Sequence, residues 1–239
     1  MTDEPANSRG KIYLVPTPIG NMGDVSPRVT ETLESAALIA CEDTRTSGRL
    51  LSKLGLKKKL VSYHEFNERD RAEQLLNSAL QGDDIAVVTD AGAPGISDPA
   101  YRIVRAAIDA GVEVVALPGP TSIIPALTAS GLPTDRFFFE GFLPNKSAAR
   151  QKRLSALAEY EHTLVFFESP HRVHKAVTDM LDVLGDRRAC VAREISKKFE
   201  EYLRGSLSEL VDVTAKRSLK GEMVIVVEGV PKKRKGSDD

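Results

Sequence analysis

The chain has no tryptophan, two cysteines and only 5% aromatic residues. So few rings speak against a base-stacking sheet of the ribonucleoprotein type. Cys41 and Cys190 lie far apart and no CxxC pair occurs, so neither a disulfide framework nor a thiolate zinc site is expected. Long apolar runs are also missing. The longest uninterrupted one, residues 36–41, falls far short of the ~18 residues that span a bilayer. The opening MTDEPANSRG has no apolar leader segment, and a cytoplasmic protein with no membrane partner is the expectation. No charge sign dominates: 33 basic residues face 34 acidic ones, for a net charge of −1. A polyanionic partner would therefore be held by a local patch and not by a global field. One basic run, Lys232, Lys233, Arg234 and Lys235, reads either as a solvated terminus or as a phosphate contact.

What is present is a globular pattern. With 239 residues and 41% hydrophobic content, the chain can bury a real core in one or two domains. Short apolar runs alternate with helical periodicity almost throughout. Strands are predicted at 11–15, 38–41, 60–63, 85–89 and 112–117, with helices at 26–38, 46–54, 69–81 and 97–110. Ser26 and Pro27 form an N-cap and first-turn pair, followed by an apolar stripe of Val29, Leu33, Ala36 and Ala37. The runs are continuous, as expected of parallel strands covered on both faces. Leu117-Pro118-Gly119-Pro120 breaks the pattern and marks a boundary. Beyond it, strands at 136–141, 163–167, 189–193, 199–204 and 222–228 alternate with helices at 122–130, 147–160, 170–184 and 206–215. The late clustering of strands predicts a mixed sheet. The expected fold class is α/β with two α/β domains, 11–118 and 119–230, between flexible tails at 1–10 and 231–239.

The sequence has no GxxxxGK[ST], no GxGxxG and no GxSxG. His171 and His174 share a helical face without a third ligand, and they read as capping or packing residues. The chemistry concentrates in loops at the carboxyl ends of strands, where open α/β sheets bind ligands. These are Thr17-Pro18-Ile19-Gly20-Asn21, Thr89 through Pro99 (TDAGAPGISDP), and Leu117 through Ser122 (LPGPTS). Small residues let the backbone approach a ligand, and helix starts supply free N–H groups. Asp98 before Pro99 has the form of an N-cap, and Thr121 and Ser122 have the form of a cap for the next helix. Asp90 is not placed as a simple cap and stands equally between a ligand role and a structural one.

At these loops the sequence resembles the tetrapyrrole methylase family of S-adenosylmethionine-dependent (class III) methyltransferases. It is most similar to the branch that acts on small-subunit ribosomal RNA. The resembling blocks include PTPIGNMGD, ACEDTRTSGRLL, SYHEFNE, VVTDAGAPGISDP, LPGPTSIIPALTASGLP, FFESPHR, AREISKKFEE and GEMVIVVEG, in order across residues 11–229. The resemblance implies two α/β domains with S-adenosylmethionine in the cleft between them, and a homodimer. It also implies methylation of a cytidine ribose 2′-hydroxyl in small-subunit ribosomal RNA. By position it places Asp90, Ala91, Gly92, Ile96, Ser97, Thr121 and Ser122 on the cofactor, with Phe167, Ala192 and Glu222 around the adenine. The first loop departs from the glycine-rich form of the porphyrin and corrin enzymes, which favours RNA over a tetrapyrrole. The chain also ends about ten residues after its last predicted strand, where many members of the branch continue into a small helical domain, so RNA would be held otherwise. Catalytic candidates lie in the CEDTR and SYHEF blocks. His64 is a general base or a structural histidine, Glu65 stands beside it, and Arg45 pairs with phosphate or with Glu42 or Asp43. Lys197, Lys198 and Arg193 are candidate RNA contacts or a solvated basic edge. A same-fold methylase acting on a tetrapyrrole or a protein, or a non-catalytic RNA-binding module, would share many of these features.

Overall fold

In the computed structural model, which describes residues 9–230, the chain divides after Thr121 into two compact units. In the first unit, β1 (Ile12–Leu14), β2 (Leu38–Cys41), β3 (Leu60–Ser62), β4 (Ile85–Val88) and β5 (Val114–Ala116) form one parallel sheet of order β3-β2-β4-β1-β5. The central strand β4 is buried along its whole length. Its residues alternate between two cores. Ile85 and Val87 pack with Leu75, Ala79, Ile103 and Ala107, whereas Ala86 and Val88 pack with Val29, Leu33 and Leu51. A continuous apolar run thus serves helices on both faces of the sheet.

Helices α1 (Pro27–Ser35), α2 (Thr44–Lys53), α3 (Glu68–Leu80) and α4 (Tyr101–Asp109) cover these faces. Ser26 caps α1 as expected, its hydroxyl accepting from Val29 N at 3.3 Å. Of the predicted stripe, Ala37 alone is exposed, because the helix has ended by that point. The predicted start of α4 is wrong. Asp98 is not its N-cap; the helix begins at Tyr101 behind Ala100, with no side-chain cap. Gly95 (φ 85°) and Ser97 (φ 63°) adopt left-handed conformations that a helix cannot continue.

The second unit opens with α5 (Ile123–Ala129) and carries β6 (Phe137–Phe142), α6 (Ser147–Ser155), β7 (Thr163–Glu168) and α7 (Val173–Leu184). It continues with β8 (Arg188–Arg193), β9 (Glu201–Ser206), α8 (Leu207–Lys216) and β10 (Met223–Val227). The sheet order is β6-β7-β10-β8-β9. Only the β6–β7 pair is parallel, so the sheet is mixed as the sequence predicts. Its core joins Leu164, Phe166, Val191 and Ile225 to Val177, Met180, Leu207 and Leu210. Among the described residues, no helix is long and apolar enough to cross a membrane.

Candidate functional site

The site in the first unit is built from loops at the carboxyl edge of its sheet. β2 leads to β3 on one side and β4 leads to β5 on the other, so the loops that follow these adjacent strands diverge. Such a point of divergence leaves a crevice at the strand ends. The loop after β1 and the loop after β4 are stitched together there. Thr17 N donates to Gly92 O at 2.9 Å and Gly92 N donates to Thr17 O at 3.0 Å. The buried Thr17 hydroxyl also donates to Thr89 O at 3.0 Å. Gly92 has φ 85°, which a side chain would strain, and this lets the chain turn back across the edge. Beside this stitch lies a cavity of about 310 Å³ lined by Thr17, Gly20, Thr46, Arg49, Lys53 and Asp90, among others.

Three carboxyl groups gather around Thr89. Its hydroxyl lies 3.3 Å from Glu42 Oε2 and also engages the Asp98 carboxylate, while Asp90 Oδ1 accepts from Asp43 N at 3.2 Å. Burial pushes all three above the usual carboxylate range. Mutual repulsion adds to it: Asp98 and Asp90 raise Glu42, and Asp90 raises Asp98. Asp43 behaves oppositely. Its hydrogen bonds to the Arg45 side chain and backbone hold it down to about 2. Of the three raised groups, Asp90 lines the cavity together with Arg49 and Lys53 of α2, whereas Glu42 and Asp98 do not.

The predicted residues fall into distinct groups. Asp90, Ala91 and Gly92 share the edge just described, whereas Ile96 and Ser97 are exposed further along the same loop. Ser122 makes no side-chain cap, so the capping alternative fails for it; Thr121, the last residue of the first unit, is half-buried. Arg45 pairs with Asp43, its Nη2 2.8 Å from Asp43 Oδ2, on a largely exposed side chain. Glu65 is exposed. His64 sits in a turn after β3 that Asn67 closes. Asn67 Oδ1 accepts from His64 N at 2.9 Å, and Asn67 Nδ2 donates to Ser62 O at 3.2 Å. Asn67 Nδ2 also lies 3.4 Å from His64 Nε2. An amide nitrogen can only donate, so in this long contact Nε2 stands as the acceptor, while the buried Nδ1 has no hydrogen-bond partner.

In the second unit, Phe167 and Ala192 face Val224 from opposite sides, so they occupy one row of the sheet. The Phe167 ring contacts Phe139 and Phe142 at centroid distances of 4.9 and 5.4 Å, and Ala192 is fully buried. Glu222, just before β10, pairs with Lys197 at 2.8 Å. Lys197 also pairs with Glu194, and Arg193 pairs with Glu201. These two residues are thus neutralised locally and do not form a free basic edge; Lys198 lies over the Phe199 ring at 5.7 Å. His174 Nδ1 contacts the Thr214 hydroxyl at 3.0 Å, and His171 is exposed. Among the described residues, no group of three or more His, Cys, Asp or Glu side chains is placed to hold a metal ion. Lys232, Lys233, Arg234 and Lys235 lie outside the described residues. Sequence reasoning did not assign the side chains of Thr17, Arg49, Lys53 and Asp98 to the site. The TPIG and SDP motifs flagged two of them, but pointed to backbone and cap roles.

The profile of the tetrapyrrole (corrin/porphyrin) methylases matches residues 11–211. A Vibrio cholerae protein named ribosomal RNA small subunit methyltransferase I is 47% identical over 234 residues, covering 96% of this chain and 81% of the relative. A Micromonospora olivasterospora protein of the same name is 46% identical over 230 residues, covering 96% and 74%. Among solved structures, uroporphyrin-III C-methyltransferase from Thermus thermophilus, complexed with S-adenyl homocysteine, shares the fold. Its TM-score is 0.61 at 21% identity, covering 92% of this chain and 97% of that one. The chain belongs to the tetrapyrrole methylase family, in the group of the ribosomal RNA small subunit methyltransferase I proteins.

Proposed function

We propose that the protein methylates small-subunit ribosomal RNA from S-adenosylmethionine, at the ribose 2′-hydroxyl of a cytidine, and that it works as a cytoplasmic homodimer. The observation that carries this reading is the near-full-length identity to proteins of that name, joined to a cluster of carboxyl groups at the strand ends. The residues present fit the donor. Asp90, which lines the cavity of about 310 Å³, matches a sulfonium or ammonium cation, and Arg49 and Lys53 in the same cavity match a carboxylate. We assign Asp90, Ala91, Gly92, Ile96, Ser97, Thr121 and Ser122 to its methionine and ribose end. Phe167, Ala192 and Glu222 are assigned to its adenine.

When bound, S-adenosylmethionine supplies a methyl group on a positively charged sulfur. Transfer would put this methyl on the ribose oxygen and leave the electron pair of the C–S bond on sulfur. We assign removal of the hydroxyl proton to His64. Its Nε2 lone pair is held ready by the long contact to Asn67, which a substrate hydroxyl can replace. Arg45, largely exposed on its pair with Asp43, is assigned to an RNA phosphate, and Glu65, exposed and next to His64 in the chain, to the ribose hydroxyls. Holding donor and acceptor in fixed orientation would supply much of the acceleration.

The test uses labelled S-adenosylmethionine with small ribosomal subunits and with naked RNA, followed by mass spectrometry of the nucleosides. The expected product is a 2′-O-methylcytidine. Replacing Asp90→Ala should weaken binding of the donor by about ten-fold or more in calorimetry, as expected for loss of a charged contact. His64→Ala should slow single turnover by about 100-fold or more. A variant that keeps its rate across pH 6–9 would remove His64 as the base.

A further inference from the structure

Phe66 and Tyr101 are the most exposed large hydrophobic residues of the first unit, at 94% and 76%. Neither sits on a loose segment. Phe66 lies in the turn that Asn67 closes through hydrogen bonds to both His64 and Ser62. Tyr101 opens α4, and Glu68, the first residue of α3, ties the two helix starts together. The Glu68 carboxylate accepts from the Tyr63 hydroxyl at 3.1 Å and from Arg102 N at 3.4 Å, and it pairs with Arg102 Nε at 3.2 Å. Two flat rings are thus held out into solvent on a pinned base at the carboxyl edge of the sheet. The Phe66 ring lies edge-on to the His64 imidazole, with centroids 6.0 Å apart.

Resting on the functional reading above, we infer that Phe66 and Tyr101 form a stacking platform for unpaired bases of the RNA substrate, next to the nucleotide whose ribose is presented to His64. Exposed rings interleaved with arginines suit a partner that is both flat and anionic; of Arg69, Arg102 and Arg105 here, Arg102 pairs with Glu68 and Arg105 with Asp109. Glu65 and Asp70 stand among them and dilute the positive charge. Stacking therefore carries the contact, and binding should depend only weakly on salt.

The absence of tryptophan from the chain makes the test direct. Phe66→Trp introduces a single indole whose emission should be quenched by oligocytidylate and not by a fully paired RNA duplex. Ile108→Trp, in the last turn of α4, should show no quenching. Phe66→Ala and Tyr101→Ala should each weaken oligocytidylate binding by about ten-fold. They should leave the affinity for S-adenosylmethionine and the mass by light scattering unchanged. Unquenched emission, or wild-type RNA affinity in both alanine variants, would overturn the platform. So would a loss of mass in those variants with RNA affinity retained, which would make the surface a contact between copies of the chain. Methyl transfer by the wild type is measured in parallel. Transfer without quenching removes the platform alone, and quenching without transfer leaves the platform and removes the methyltransferase reading.

Discussion

Glu42 shows what one side chain gives up to build this site. Its carboxylate is partly desolvated beside Asp98 and Asp90, so it holds its proton more tightly in the folded chain than in the unfolded one. The sign follows from linkage: the folded state binds more protons, so stability falls as pH rises through the carboxylate range. Glu42→Gln keeps an acceptor for the Thr89 hydroxyl and removes the charge. It should therefore raise Tm by about 1–3 °C at pH 7, and the gain should disappear near pH 4, where the wild-type group is protonated. Calorimetry at the two pH values checks this, and the same variant should bind the cationic donor more weakly. Asp90 was visible in the sequence because it stands at a strand end beside glycine, without a helix to cap. Asp98 was misread because an Asp-Pro pair ahead of a helical pattern is the local signature of a cap. The competing contact with Thr89 lies nine residues back in the chain, and no local pattern reports it.

At the level of elements, the apolar runs and their punctuation gave the order of strands and helices, and the late cluster of strands gave the mixed sheet. What they did not give is how the second unit holds the connection from β6 to α6. Arg150 and Asp179, both buried, form an ion pair there. Asp179 also accepts from Ser147 and Gln151, and Arg150 donates to the carbonyls of Pro144 and Asn145. Arg172, from the FFESPHR block, donates to Leu143 O and Pro144 O. The partners lie about thirty positions apart, beyond the reach of helix or strand periodicity. Burying this pair is tolerable only because nearly every polar atom in it is matched. Asp179→Ala should then cost about 3–5 kcal/mol in urea unfolding, because it leaves the Arg150 charge buried and unpaired. Asp179→Asn, which keeps acceptors and loses charge, should cost less. Equal stability of the alanine variant and the wild type would show that the pair does not hold this connection.

For the molecule as a whole, the two cysteines offer a readout that no composition argument anticipates. Cys41 ends β2 in the first unit and Cys190 lies in β8 of the second; both are fully buried free thiols. Burial raises both thiols and pushes Cys190 up to about 11, so alkylation requires the surrounding unit to open. When closing outpaces labelling, a bound ligand slows labelling by the factor by which it stabilises the closed state, about 100-fold at a hundred times its Kd. S-adenosylhomocysteine should slow Cys41 labelling by about that factor, because Asp90, Ala91 and Gly92 belong to the same sheet edge. The assignment of Phe167, Ala192 and Glu222 to the adenine requires Cys190 to be protected as well, since Ala192 is two residues along the same strand. Mass spectrometry of the two alkylated peptides separates the cases. Protection of both thiols supports the full set of cofactor residues. Protection of Cys41 alone would confine the ligand to the first unit and strike those three residues from the site, while leaving the carboxyl cluster and its chemistry in place.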